Sequence, residues 1–267
     1  MTYRPDFSDC RAKMERAWVH RNSLNAEIGP LFLGEANQVR ILGKFDSESG
    51  YHVFRAVAIP DFPLRYFGIL IGDAVHNFRC VLDHIAWQLA LYKTNGAGPS
   101  TERRARKVGF PIQVDPPSTN IVPEKFAAGG ALKDVRPCHR AIIHEFQPYK
   151  RTYPENDGLA ILHSLSNKDK HRVINPVLIS TDRFNLPAGI VDAVGIENFV
   201  IPTDKRLELD AEVFRAPLST FLAEPYMDVE GHSTPDIVLL DGTPIIKGLD
   251  DIGRRVTSIL ERFAPLF

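Results

Sequence analysis

Cysteine, net charge and long apolar runs are all scarce in this chain, and each scarcity closes off a class of protein. The three cysteines, Cys10, Cys80 and Cys138, are odd in number and far apart, which argues against a disulfide framework or a zinc ribbon. A reduced, cytoplasmic setting is the expectation that follows. No window approaches the roughly 18 consecutive apolar residues of a membrane-spanning helix, so no membrane partner is expected. The opening residues, MTYRPDFSDCRAKMER, are polar and carry no apolar secretory segment. A formal net charge of −1 means the molecule as a whole does not attract polyanions. Phosphate-binding Gly-rich loops, dinucleotide fingerprints, nucleophile elbows and zincin motifs are all absent.

What is present describes a globular chain. At 267 residues, 44% hydrophobic and 24% charged, it can bury a sizeable core without staples. The expected fold is a single α+β domain over residues 1–267. A helical bundle spans about 60–172, with a helix before it; an antiparallel β-sheet is expected in the C-terminal half, over about 173–246, and a closing helix covers 249–264. Residues 8–28 read as a helix with Ser8 as N-cap, Gly29-Pro30 as stop, and Met14, Trp18, Leu24 and Ile28 as its buried stripe. Residues 37–45 and 51–59 read as a hairpin around a polar turn. Residues 94–107 read as a mobile basic loop carrying Arg103, Arg104, Arg106 and Lys107, and 108–114 as a short edge strand. Helices are expected over 131–147 and over 157–171, the latter capped by Asp157. Leu207, Leu209, Ala211 and Val213 alternate with acidic residues, the pattern of a strand with one wet face. The stripe Leu249, Ile252, Val256, Ile259, Leu260 and Phe263 marks the closing helix.

The clearest helix is 66–92. Leu70, Ala74, Phe78, Val81, Leu82, Ile85 and Leu89 share one side at 100° per residue. The other side carries Asp73, His76, Cys80, Asp83, His84 and Trp87. A solvated helix face normally carries Lys, Glu, Gln and Arg, so this stripe reads as a lined cleft. Charge is also uneven along the chain. Residues 101–172 hold thirteen Lys/Arg against eight Asp/Glu, and residues 201–251 hold four against eleven. Such asymmetry suits a basic face for an anionic ligand, or two surfaces that meet in a dimer.

Two polar motifs stand out: His76-Asn77-Phe78-Arg79-Cys80-Val81-Leu82-Asp83-His84, and His163-Ser164-Leu165-Ser166-Asn167-Lys168-Asp169-Lys170-His171-Arg172. The pair HNxRxxLDH and NxDKHR resembles an uncharacterised family of bacterial proteins of similar length, over roughly residues 60–175. That resemblance implies that the motifs travel together and brings no activity. More distantly, Arg79 and His84, with four residues between them, resemble the Arg-x4-His signature of HEPN domains. These are small helical bundles, often dimeric, many of them metal-independent ribonucleases. The resemblance implies RNA, or another phosphate-bearing ligand, as partner, a homodimer, and no cofactor. It implies Arg79 on the scissile phosphate and His84 as general acid/base toward the ribose 2′-OH, chemistry that suits both side chains. His171 and Arg172 would assist, Asp83 and Asn77 would orient, and His76, Asn167, Asp169 and Lys170 would complete the substrate site.

Two other chemistries fit the same residues. Asp73, His76, Asp83 and His84, joined by His163 from a second helix, offer imidazole and carboxylate donors for a divalent transition metal in a helical enzyme acting on a small molecule. Alternatively the motifs are structural: Asp83 pairs with Arg79 at i, i+4, His76 or His84 meets Asp169, and the network fixes helix register in a non-catalytic interaction module. Cys80 beside His76 or His84 suggests a thiol nucleophile or a half-buried packing residue. Trp87 suggests base stacking or packing.

Overall fold

The computed structural model describes residues 3–32, 37–117, 130–169, 173–181, 183–186, 199–202, 206–217, 228–239 and 241–267. Their contacts gather into two compact units. The first comprises Met1–Leu24, Phe67–Ile174 and Ile246–Phe267; the second comprises Asn25–Tyr66 and Asn175–Ile245. The fold is α+β, with antiparallel strand pairing and a closing C-terminal helix. No helix among the described residues is long and apolar enough to cross a membrane.

The first unit is helical. Helix α1 (Ser8–Leu31) begins where the Asp6 carboxylate accepts the Ser8 amide at 2.9 Å and the Ser8 hydroxyl at 3.0 Å. Asp6, not Ser8, is therefore the capping side chain, and these donors hold its carboxyl below the usual carboxylate range. The helix runs past Gly29-Pro30 because Pro30 falls in its last turn, where a missing N–H forfeits a single bond. Helix α2 (Leu64–Lys93) buries Phe67, Ala74, Phe78, Val81, Ile85 and Leu89, as its periodicity requires; Leu70 is only half-buried. Trp18 of α1 meets Phe78 of α2 edge-on, with ring centroids 5.7 Å apart.

Part of the expected basic loop is ordered. A single turn, α3 (Glu102–Ala105), is capped by Thr101, and Arg104 pairs with the mostly buried Asp134. Helix α4 (Pro137–Glu145) starts at Pro137 rather than 131. Proline's fixed φ and absent N–H suit the first helical position. Helix α5 (Gly158–Asp169) is capped as expected, the Asp157 carboxylate accepting the Leu159 amide at 2.8 Å. Asp157 also pairs at 3.2 Å with Arg255 of the closing helix α6 (Ile245–Phe263). The whole apolar stripe of α6 is buried.

The second unit is a sheet. Strands β1 (Val39–Asp46), β2 (Tyr51–Ala58), β3 (Val177–Ile179), β4 (Phe184–Asn185), β5 (Glu212–Pro217), β6 (Val229–Ser233) and β7 (Asp236–Val238) form a five-stranded sheet of order β4-β6-β1-β2-β5 and a two-stranded sheet β3-β7. The expected hairpin supplies the centre of the larger sheet, so the sheet is not confined to the C-terminal half. Its turn is closed by the Gly50 amide on the Asp46 carbonyl at 2.9 Å, with Gly50 at φ 74°, a conformation glycine adopts without penalty.

One expected strand starts late and another does not form. Over 207–213 the chain turns at Asp210, which sits at φ 66°, and Leu209 is exposed. The Asp210 amide donates to the Ala56 carbonyl at 2.8 Å, and the β2–β5 register shifts at this point. The strand starts only at Glu212. Segment 108–114 is not in a sheet either: side chains take the Phe110 amide and carbonyl and the Gln113 amide, while the Gln113 carbonyl accepts the Tyr149 amide and the Val108 amide donates to the Ala105 carbonyl.

Candidate functional site

Both sequence motifs belong to the first unit. The polar stripe of α2 divides along its length: Asp73 and His76 are exposed, whereas Cys80, Asp83, His84 and Trp87 are half-buried. Asn77, expected to orient the site, is 7% exposed. Its amide donates at 2.8 Å to the Asp73 carbonyl of its own helix.

Arg79 is the most constrained member. Its Nε donates to Asp83 Oδ2 at 3.1 Å and its Nη2 to Asp83 Oδ1 at 2.8 Å. The same Nη2 donates to the Phe110 carbonyl at 2.7 Å, and Asp83 Oδ1 accepts the Phe110 amide at 2.9 Å. Arginine and aspartate, one turn apart on α2, thus bracket both backbone groups of one residue. A neighbouring strand would do the same, and this explains why 108–114 stays extended without joining a sheet. Further along, the Gln113 amide donates to Gln147 Oε1 at 2.9 Å. The clamp holds the Phe110 ring fully buried. Gly109 lies where a Cβ would come within 3.2 Å of Asp83 Oδ1. The i, i+4 pairing expected of Arg79 and Asp83 is present. The convergence of Arg79 and His84 on one point is not a property of a regular helix, since five residues rotate a side chain by about 140°, and α2 is regular throughout.

Helix α5 meets α2 a turn ahead of the first motif. A Cβ on Gly72 of α2 would come within 2.6 Å of Asp169 Oδ1 of α5. A Cβ on Gly68 would come within 1.9 Å of the Ile174 carbonyl oxygen. Asp169 therefore lies beside the α2 backbone one turn before His76. Asn167 is near His163, its Nδ2 3.1 Å from the ring Nε2. Lys170, His171 and Arg172 lie outside the described residues.

The expected metal donors do not assemble. Among the described residues no three His, Cys, Asp or Glu side chains form a group that could hold an ion. Each of the five has another neighbour or none: Asp83 takes Arg79 and Phe110, His163 meets Asn167, and His76 Nε2 lies 3.5 Å from Cys80 Sγ. Asp73 lies 3.9 Å from His20 of α1, and His84 makes no hydrogen bond among the described residues. Burial pushes the Cys80 thiol up, against the pull of Lys13 and Arg79, so it is not an activated thiolate. His20, on the other side of Asp73, is held below the ordinary histidine range by burial and by Arg16.

Sequence reasoning missed Gly68, Gly72 and Phe110. A signal for the glycines existed: two of them four residues apart in a helix each cost about 1 kcal/mol relative to alanine, which argues for a close approach. Nothing local marked Phe110. A further polar group was also missed, in which His144 Nε2 meets the Tyr149 hydroxyl and Lys150 Nζ lies 3.4 Å from His144 Nδ1.

Comparison with protein-family models, with curated proteins and with solved structures finds no match to this chain.

Proposed function

We propose that this chain is a non-catalytic interaction module in which Arg79 and Asp83 of the HNxRxxLDH motif, with Asp169 of the second motif beside α2, lock helices and loop together. The observation that carries this reading is the commitment of Arg79. Its Nε and Nη2 bind Asp83, and Nη2 also binds the Phe110 carbonyl. A guanidinium held this way fixes backbone rather than meeting a phosphate. The half-buried stripe of Cys80, His84 and Trp87, with exposed His76 at its end, is the surface for a partner, a second copy of the chain being the simplest. The test measures mass in solution and melting temperature for the wild type and His84→Ala. Lost association together with lower stability supports the module. A wild-type monomer, with the variant equally stable, ends it.

One observation keeps the ribonuclease reading in play. Arg79 Nη1 and the His84 ring make no hydrogen bond among the described residues, which leaves donors for a phosphate and a proton-transfer group on one helix. Incubating the full chain with single-stranded RNA in EDTA separates the two readings. Cleavage that disappears in both Arg79→Ala and His84→Ala, with the fold retained, favours catalysis.

A further inference from the structure

The open face of the larger sheet holds a cavity of about 480 Å³, a volume that suits a small ligand. All of its lining residues lie in the second unit, so nothing in it depends on the α2 motif. Its geometry follows from the strand register. Leu42 of β1 pairs with Arg55 of β2, and Lys44 pairs with Val53. Alternate residues of a strand share a face, so Leu42 and Lys44 point the same way as Val53, Arg55 and Val57. The result is a checkerboard in which two cations stand diagonally across an apolar floor of Leu42, Val53 and Val57.

The carboxylates around this floor are largely committed elsewhere. Asp46 Oδ1 accepts the Glu48 amide at 3.1 Å and its Oδ2 accepts the Ser49 hydroxyl, closing the hairpin turn. Glu212, the register partner of Arg55 on β5, gives both carboxylate oxygens to Arg215. Arg55 donates through Nη1 to the Asp210 backbone carbonyl at 2.8 Å. That bond fixes the guanidinium without neutralising it, and among the described residues Arg55 has no ion-pair partner. Lys44 has one loose partner, Asp228 at 3.8 Å, both side chains being mostly exposed. Asp46 keeps its charge, so two acids, Asp46 and Asp210, stand on the cavity wall, and the exposed Glu230 of β6 is the register partner of Leu42.

We infer that this cavity binds a small aliphatic carboxylate, its tail on Leu42, Val53 and Val57 and its head between Arg55 and Lys44. Arginine held by a backbone carbonyl retains further donors in a fixed fork, the arrangement that recognises a carboxylate. Valine and leucine on a pleated surface offer a flat apolar bed for the chain. Asp210 opposes the head group, so removing its charge strengthens binding.

The test is calorimetric titration of the full chain with octanoate and, separately, with uncharged octanamide. Amide chemical shifts then locate the change on β1 and β2. Octanoate binds saturably and octanamide more weakly. Arg55→Gln and Lys44→Gln each weaken octanoate, Arg55→Gln by about tenfold or more for the loss of a charge-assisted contact. Asp210→Asn strengthens it, and asparagine tolerates the positive φ at that position. Lys44→Gln carries the test if Arg55→Gln disturbs the fold through the lost bond to Asp210. Four results overturn the inference: no saturable binding by the wild type, equal affinity for octanamide, unchanged affinity in both cation variants, or weaker binding in Asp210→Asn.

Discussion

Replacing Arg79 with alanine isolates what the α2 motif is for. The substitution deletes the donor to the Phe110 carbonyl and the positive charge beside Asp83, while Asp83 keeps the Phe110 amide. A hydrogen bond to a charged group is worth roughly 1.5–3 kcal/mol. The half-exposed i, i+4 ion pair adds only about 0.3–0.5 kcal/mol. The expected destabilisation is therefore about 2–3.5 kcal/mol, or roughly 4–6 °C in melting temperature for a chain of this size. Arg79→Lys keeps the charge but not the fork, so one ammonium cannot reproduce the spacing that serves Asp83 and Phe110 together; an intermediate loss is expected. Thermal melts followed by far-ultraviolet circular dichroism give the ranking, and protease sensitivity of segment 108–114 reports the clamp directly. Melting unchanged in Arg79→Ala, with 108–114 as protected as in the wild type, would show that the bracket around Phe110 contributes nothing and that Arg79 is present for another reason.

Gly68→Ala should lower stability far more than Gly72→Ala. The new Cβ at Gly68 meets the Ile174 backbone carbonyl, whereas at Gly72 it meets the Asp169 side chain, which can turn away. Helix propensity then returns about 1 kcal/mol to each variant, and urea unfolding midpoints measure the difference. His139 should make the protein acid-sensitive. Burial among Tyr92, Phe263 and Phe267, with Arg136 nearby, holds its pKa below the ordinary value. The folded state thus favours the neutral ring, and stability falls as pH drops through the unfolded value of about 6.5 toward the lower folded one. His139→Phe should flatten that slope in unfolding measured between about pH 7 and pH 5. Alkylation with iodoacetamide at mildly alkaline pH should label the exposed Cys138 before Cys80, whose thiol burial keeps protonated; mass spectrometry of peptides gives the order, and faster labelling of Cys80 would contradict it.

Periodicity in the sequence was enough to place α2 and α6, and cap and turn residues to place α1, α5 and the hairpin, but α3 was not expected and α4 starts six residues late. The apolar stripes of α2 and α6 say which face turns inward, and the polar turn between β1 and β2 sets the hairpin. The i, i+4 spacing of Arg79 and Asp83 was enough to pair them. None of this required knowledge of distant residues, because a helix or hairpin encodes its buried side within a few turns. The partners of polar groups are a different matter. Phe110 meets Asp83 across 27 positions, and β1 pairs with β6 from the far end of the chain. Alternation over 207–213 looked like a strand until the positive φ at Asp210 and its bond to Ala56 delayed the strand to Glu212. Segment 108–114 looked like an edge strand because its composition suits extended backbone, yet composition cannot say whether a strand or a pair of side chains will take its amides and carbonyls. Only the tertiary structure decides that, since every buried backbone group must find a partner and the chain as a whole determines which one is within reach.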